Sequence, residues 1–262
     1  MTAGIVAVYT APAVDRDEFR AVLSAAERER LSALLTPASR AGFGAAHALL
    51  RVVLAGGFGC APGEVIVQAR CATCGGPHGR PVVRRPGARE PGPHVSLAHT
   101  RGLVLVAVTG AGEVGVDVEV VDRAALAQVD GVALAPQERR AIANLAGDEA
   151  AGARATTWVR KEALLKATGQ GLSVEPRDVV LSSPVRSGPD APPRLLAWPA
   201  GVPAPGRPVH LADVCVGPGR VAAVAVLADL PPAVRVADGS HLLSGCLLSR
   251  DGPTAGPAAP ND

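Results

Sequence analysis

Two stretches decide how this chain is interpreted: Gly115–Glu119, which reads GVDVE, and Trp158–Lys166, which reads WVRKEALLK. The first lies in an alternating apolar run, which is typical of a β-strand and places its two carboxylates on the face opposite the valines. The second lacks proline and glycine and contains good helix formers, so Glu162 and Lys166 fall one turn apart on one helical face. The sequence therefore predicts an acidic strand and a helix that carries an acidic and a basic side chain on the same face.

Three carboxylates in these stretches are candidates for a magnesium site. Magnesium prefers oxygen ligands, keeps several waters and takes further ligands from substrate phosphates. Asp117, Glu119 and Glu162 suit such a site, and Lys166 and Lys161 suit the same phosphates. Acidic strand ends and helical Glu–Lys pairs are also common surface features, and spacing alone favours that simpler interpretation.

The same residues resemble the signature of the surfactin-type 4′-phosphopantetheinyl transferases. In that family a Gly-(hydrophobic)-Asp-(hydrophobic)-Glu strand precedes a Trp-x-x-Lys-Glu-x-x-x-Lys helix and a Gly-x-Gly-Leu turn, here Gly169–Leu172. Upstream, His94–Thr100 resembles the family's Ile-Ser-His-Ser segment and Gly79–Pro81 its Gly-Lys-Pro turn. These elements occur in the family's order between about Arg40 and Leu172.

The resemblance implies an enzyme that transfers the 4′-phosphopantetheine group of coenzyme A to a serine of an apo carrier protein. The carrier would be a polyketide, nonribosomal peptide or acyl carrier domain, and the other product 3′,5′-adenosine bisphosphate. Asp117, Glu119 and Glu162 match the family's ligands for Mg²⁺, with Mn²⁺ as an alternative ion. Glu162 is also expected to act as the base, directly or through a water on the ion, and Lys166 to contact the diphosphate.

Further residues match the family's coenzyme A contacts. His99 is expected to contact a phosphate, and Arg80 the adenine or the phosphates. Arg40 and Arg51 resemble basic positions that bind terminal phosphates. Lys161 is weighted equally between a ligand contact and a solvated or carrier-facing side chain. The chain departs from the family pattern at Ala98, Thr100 and His47.

Composition excludes several function classes. The net charge is +2, from 26 basic and 24 acidic residues, which argues against a general nucleic-acid binder. No uninterrupted apolar stretch approaches the roughly twenty residues that span a bilayer, so we expect a cytoplasmic protein without membrane contact. Cys71, Cys74 and His78 resemble a metal pattern, but a structural zinc needs four ligands, so thiols are favoured.

The order of apolar patterns predicts an α/β fold made of two similar halves. Residues 1–110 form the N-terminal half, with helices at 15–35 and 38–55, the second ended by Gly56 and Gly57. Residues 111–236 form the C-terminal half with the acidic motifs, and 237–262 a largely irregular or disordered tail. The resemblance implies a monomeric pseudo-dimer of small, mostly antiparallel sheets packed with helices, with the ligand in the cleft between halves.

Two other functions stay open. One is a coenzyme A-binding or carrier-binding module with weak or no catalysis, although the retained acidic positions and Lys166 argue against it. The other is a metal-dependent hydrolase of nucleotides, which also uses clustered carboxylates. A hydrolase needs only water as acceptor, whereas the transferase needs a carrier serine.

Overall fold

The two halves of the chain repeat one order of elements in the computed structural model, which describes residues 4–69, 75–76, 79–123, 130–184 and 191–248. The first half contains β1 (Ile5–Ala11), α1 (Phe19–Val22), α2 (Ala25–Ala33), α3 (Pro37–Phe58), β2 (Ile66–Ala69), β3 (Pro81–Arg84), β4 (His94–Thr100) and β5 (Leu103–Thr109). The second contains β6 (Glu113–Val120), α4 (Asp130–Ala133), α5 (Pro136–Ile142), α6 (Gly147–Thr168), β7 (Val180–Leu181), β8 (Leu195–Ala197), β9 (Val209–Val214) and β10 (Arg220–Leu227). Two further elements follow, β11 (Ala233–Asp238) and α7 (Ser240–Leu248).

Both halves build their main sheet with the same connectivity. The first sheet has the order β11-β1-β5-β4 and the second the order β6-β10-β9, and each half adds a two-stranded hairpin, β2-β3 or β7-β8. All pairings are antiparallel except that of β1 with β11. The prediction of an α/β fold of small, mostly antiparallel sheets packed with helices is confirmed.

The elements stack in four layers, helix on sheet on sheet on helix. Alternate residues of β5 face opposite ways: Val104 and Val106 pack under α3, while Leu105 and Ala107 face the second sheet. The valines of β6 face the first sheet in the same manner. The core is accordingly made of small and branched aliphatic side chains, as the aromatic content of 2% predicts.

Both predicted N-terminal helices have different bounds in the structure. The segment 15–35 is divided at Ser24, whose hydroxyl accepts from the Glu27 N–H while the Glu27 carboxylate accepts from the Ser24 N–H. This capping box starts a new helix and turns Glu27 inward. Helix α3 does not stop at Gly56 and Gly57, because burial of its apolar face continues the helix to Phe58, where Gly59 adopts the left-handed conformation.

The predicted irregular tail is wrong for residues 237–248. Ala237 and Asp238 complete β11, which pairs in parallel with β1, and Leu243 of α7 packs into the core beneath α3. The open edge of β1 offers backbone partners that a segment without clear periodicity can use. Residues 249–262, and the predicted thiols Cys71 and Cys74 with His78, lie outside the described residues.

Helix α3 is the one described helix that is long and apolar enough to cross a membrane. However, 61% of its apolar window is buried inside the protein. Its place under the first sheet gives these side chains a protein environment, so their apolar character is weak evidence for a membrane span.

Candidate active site

The acidic strand β6 lies directly on helix α6. A Cβ added at Gly115 would come within 2.6 Å of the Ala167 N atom and closer still to the Ala163 carbonyl oxygen. Only glycine therefore permits this backbone approach. Because the valines of β6 face the first sheet, Asp117 and Glu119 lie on the strand face that is turned towards α6.

Lys166 joins the two elements at this contact. Its ammonium donates to Asp117 Oδ1 at 2.7 Å and to the Val116 carbonyl at 3.1 Å. Its side chain remains about one-third exposed, whereas that of Asp117 is 14% exposed. The structure thus brings together a lysine and a carboxylate that are 49 residues apart in the chain.

Glu119 is held by a hydroxyl from the first half of the protein. Thr100 at the end of β4 donates its Oγ1 hydrogen to Glu119 Oε1 at 3.0 Å, and the Val120 N–H donates to the same oxygen at 2.9 Å. From the sequence, Thr100 is only a departure from the family pattern, and this contact is not predicted. The signal was present, because threonine retains the hydroxyl of the serine it replaces.

Asp117 interacts electrostatically with each of the other two predicted carboxylates. Burial raises the pKa of Asp117, and the charge of Glu119 raises it further against the opposing effect of Lys166. Burial also raises the pKa of Glu162, and the charge of Asp117 adds to that rise, again opposed by Lys166. Asp117 therefore interacts with both other carboxylates, and Lys166 opposes the rise in the pKa of Asp117 and of Glu162.

A cavity of about 350 Å³ reaches Lys166, the partner of Asp117, and is lined by both halves of the protein. Lys166 and Leu165 line it from α6, Ser96 and His99 from β4, and His47 from α3. The size falls within the usual range for small-molecule sites. The cavity therefore offers room for a ligand beside Lys166.

His99 is packed tightly into the wall of this cavity. A Cβ at Gly42 of α3 would come within 2.5 Å of the His99 Nδ1 atom, so glycine makes room for the ring. Burial lowers the pKa of His99, and the positive charges of Lys166 and His47 lower it further, while Asp117 and Glu119 oppose the change. A neutral imidazole is favoured in the absence of an anion.

Arg80 reaches across the cleft between the halves. Its guanidinium donates to the Ala167 carbonyl at 3.0 Å and lies beside Gly169, the left-handed residue that ends α6. Arg80 also lines the cavity. Among the predicted coenzyme A contacts, His99, Arg80 and Lys166 thus share one cavity.

Lys161 does not face this cavity, and its predicted ligand or surface role is wrong. The side chain is 0% exposed, and its ammonium donates to Glu138 Oε2 at 2.5 Å and to the carbonyls of Ala133 at 2.6 Å and Pro176 at 3.0 Å. Adjacent residues of an α-helix point about 100° apart, so Lys161 turns inward where Glu162 turns towards β6.

The two predicted arginines of the N-terminal half also have other contacts. Arg51 is 1% exposed and pairs with Glu27, and it donates to the carbonyl of Val65 at 2.8 Å. Burial therefore prevents Arg51 from reaching a ligand. Arg40 donates to the carbonyls of Leu34 and Leu35 just after α2 and is 31% exposed.

Glu27 binds a residue of the cavity wall in addition to Arg51. Its other carboxylate oxygen, Oε1, lies 2.9 Å from Nδ1 of His47, a cavity-lining residue. Burial alone would raise the pKa of Glu27, but hydrogen bonds from His47 and from the Ser24 N–H, with the charges of His47 and Arg51, lower it to about 2.

The predicted carboxylates suit a metal ion by their chemistry but are not arranged around one. No group of three or more His, Cys, Asp or Glu side chains within the described ranges is arranged to hold an ion. Lys166 lies against Asp117, and Thr100 holds Glu119. The donor chemistry nevertheless suits a hard divalent cation, since Asp117 lies close enough to Glu119 and to Glu162 for their charges to interact, and carboxylate oxygens are ligands that such an ion prefers.

Comparison with known proteins points to the same region. Residues 113–195 match the family described as the 4′-phosphopantetheinyl transferase superfamily, a span that contains β6 and α6 but less than half of the chain. The chain is 29% identical over 156 residues to slr0495 of Synechocystis sp. (strain PCC 6803 / Kazusa), provisionally named a 4′-phosphopantetheinyl transferase. It is 28% identical over 163 residues to the 4′-phosphopantetheinyl transferase HetI of Nostoc sp. (strain PCC 7120).

These alignments cover part of each protein. They include 59% of this chain and 60% of slr0495, and 62% of this chain and 66% of HetI. The chain therefore spans less than two thirds of the length of either relative.

Proposed function

We propose that this protein transfers the 4′-phosphopantetheine group of coenzyme A to a serine of an apo carrier protein. The observation that supports the proposal is the contact of Lys166 with Asp117, whose charge interacts with those of Glu119 and Glu162, at a cavity lined by Lys166 and His99. The superfamily match covers all four of the β6 and α6 residues. The surfactin-type signature in the sequence supports the larger, pseudo-dimeric subgroup of such enzymes.

The cationic side chains of the cavity suit the diphosphate of coenzyme A. Lys166 is a compact, mobile ammonium that can leave Asp117 for a phosphate oxygen and follow the charge as it moves to the leaving group. His99 and Arg80 supply N–H donors on the same cavity wall. A phosphate beside His99 would oppose the lowering of its pKa, since a negative charge favours the protonated ring.

The carboxylates would divide two tasks between them. Asp117, Glu119 and Glu162 would hold Mg²⁺, or Mn²⁺ in its place, and the ion would neutralise charge on the non-bridging oxygens of the diphosphate. Glu162 would also accept the proton of the carrier serine.

The transfer is a substitution at phosphorus. The serine Oγ forms a bond to the phosphorus on the pantetheine side, and the bond from that phosphorus to the bridging oxygen breaks. The bridging oxygen keeps the electron pair and leaves with 3′,5′-adenosine bisphosphate, while the serine proton passes to Glu162. Positioning and charge neutralisation supply most of the catalysis in such reactions.

The proposal also covers the partner, the oligomeric state and the cellular location of the protein. The partner would be an acyl or peptidyl carrier domain of polyketide, nonribosomal peptide or related synthesis. The two repeated halves supply both walls of the cavity, which supports a monomer as the active form. A cytoplasmic location agrees with a reaction between two soluble partners.

The deciding experiment is incubation with coenzyme A, MgCl₂ and several apo carrier domains, followed by intact mass measurement. The expected result is a gain of one phosphopantetheine group that is absent when the carrier serine is replaced by alanine. Cleavage of coenzyme A without a carrier would support the nucleotide hydrolase instead. Binding without any cleavage would support the binding module.

A single substitution tests the role of Glu162. We predict that Glu162→Gln abolishes transfer while the melting temperature stays near that of the wild type, because a partly exposed carboxylate contributes little to stability. Glu149→Gln, at an exposed acid in the first turn of the same helix, is the matched control and should retain activity. Near-normal turnover of Glu162→Gln would remove this residue from the mechanism.

A further inference from the structure

A buried ion pair, Lys161 with Glu138, holds helix α6 on the face that points away from the cavity. Lys161 uses all three ammonium hydrogens, on Glu138 and on the carbonyls of Ala133 and Pro176. The side-chain exposures of Lys161 and Glu138 are 0% and 4%. Such a pair is costly to desolvate and often no more stable than an apolar pair, so its presence calls for another explanation.

Glu138 extends the same bonding to two further segments. Its Oε2 atom also accepts from the Ala135 N–H at 2.7 Å, and its Oε1 atom accepts from the Leu181 N–H of β7 at 3.0 Å. The pair therefore connects α6 to the end of α4, the start of α5, the short helix at Pro176 and the hairpin strand β7. Directional bonds from several elements define both the rotation and the axial position of α6.

Rotation of α6 decides where its reactive face points. Glu162 follows Lys161 directly and lies about 100° around the helix, and Lys166 lies a further turn along. On the opposite side, Gly115 allows α6 to touch β6. A small rotation of the helix would move Glu162 and Lys166 together relative to Asp117.

We propose that Lys161 and Glu138 are positioning residues, which orient Glu162 and Lys166 for the transfer without touching the substrate. This inference rests on the proposed function for its kinetic consequence. It differs from a purely structural role in one respect. Once folding is restored without the charges, the chemical step should still be impaired.

The test compares three variants with the wild type. Lys161→Met leaves a buried, unpaired carboxylate, so its melting temperature should fall. The double variant Lys161→Met/Glu138→Gln removes both charges and should regain most of that loss. We expect its kcat to fall by at least about tenfold while the coenzyme A Kd changes less than about threefold. Glu138→Asp keeps the charge but withdraws the carboxylate by one methylene. If the double variant does not fold, Glu138→Asp should show the same lowered kcat with a nearly unchanged coenzyme A Kd.

A matched control uses another ion pair between α6 and the α4 region. Arg154 pairs with Asp130 at 2.7 Å, two turns before Glu162. Arg154→Met/Asp130→Asn removes the same number of charges from the same helix and should keep kcat within about twofold. Wild-type kcat in the folded double variant of Lys161 and Glu138 would overturn the inference.

Hydrogen exchange separates this inference from the proposed function. Exchange of the α6 amides at 158–168 should rise in the double variant of Lys161 and Glu138 and stay unchanged in the Arg154 control. If the wild type transfers nothing to any carrier, the proposed function fails and exchange alone decides the inference. Unchanged exchange at 158–168 would then refute it.

Discussion

Replacing Gly115 by alanine should separate strand β6 from helix α6. Ordinary van der Waals contact begins at 3.4 Å, and the new Cβ would lie 2.6 Å from the Ala167 N atom and 2.9 Å from the Ala163 carbonyl carbon. These are backbone atoms, so no side-chain rotation relieves the overlap. The two elements must move apart by at least about 0.8 Å, the difference between 3.4 and 2.6 Å.

The displacement acts on both stability and chemistry. Overpacking of this kind typically costs about 1–3 kcal/mol in the free energy of unfolding. It also lengthens the 2.7 Å bond between Lys166 and Asp117, and a misplacement of about 1 Å can reduce a rate about a hundredfold. We therefore expect a destabilised protein whose folded fraction transfers phosphopantetheine about two orders of magnitude more slowly.

Urea unfolding and the rate of carrier modification, measured on the same preparation, check this prediction. Gly152→Ala is the control, because Gly152 lies in α6 with nothing within 4 Å of an added Cβ. That change should stabilise the protein by about 0.5–1 kcal/mol and leave the rate unchanged. If Gly115→Ala matches the wild type in both measurements, the argument from close backbone packing is refuted.

Two further predictions concern polar contacts on either side of the cavity. Because the pKa of Glu27 is lowered from 4.5 to about 2, this carboxylate should stabilise the fold by about 3 kcal/mol above pH 4.5 and lose that effect as the pH falls towards 2. Urea unfolding of wild type and Glu27→Gln should show a stability difference at pH 7 that shrinks at pH 3; a constant difference would contradict this. Thr100→Val removes the donor to Glu119 and should lower stability by no more than about 1 kcal/mol, yet raise the Mg²⁺ concentration needed for half-maximal transfer about tenfold. An unchanged Mg²⁺ requirement would show that this hydroxyl does not orient Glu119.

The acidic motifs could be read from sequence because their geometry is local. A strand alternates its side chains, so Asp117 and Glu119 had to share the face opposite the valines. A helix repeats every 3.6 residues, so Glu162 and Lys166 had to share a face. The repeated order of helices and strands followed from the same local patterns.

The sequence alone could not show which charged residues would be buried. Lys161 and Arg51 belong to motifs that predict phosphate contacts, yet each is paired with a glutamate 23 or 24 residues away in the chain. Such a partner becomes visible only when the intervening segments have packed. The same holds for β11, whose strand conformation depends on the open edge of β1.

Local periodicity thus determined the acidic strand, the helix that carries Glu162 and Lys166, and the α/β class of the protein. Tertiary structure alone decided that Gly115 lets these two elements touch, that Thr100 holds Glu119, and that Lys161 faces the interior. The physical reason is that the direction of a side chain follows from the backbone of its own element, whereas its burial and its partners depend on elements distant in the chain.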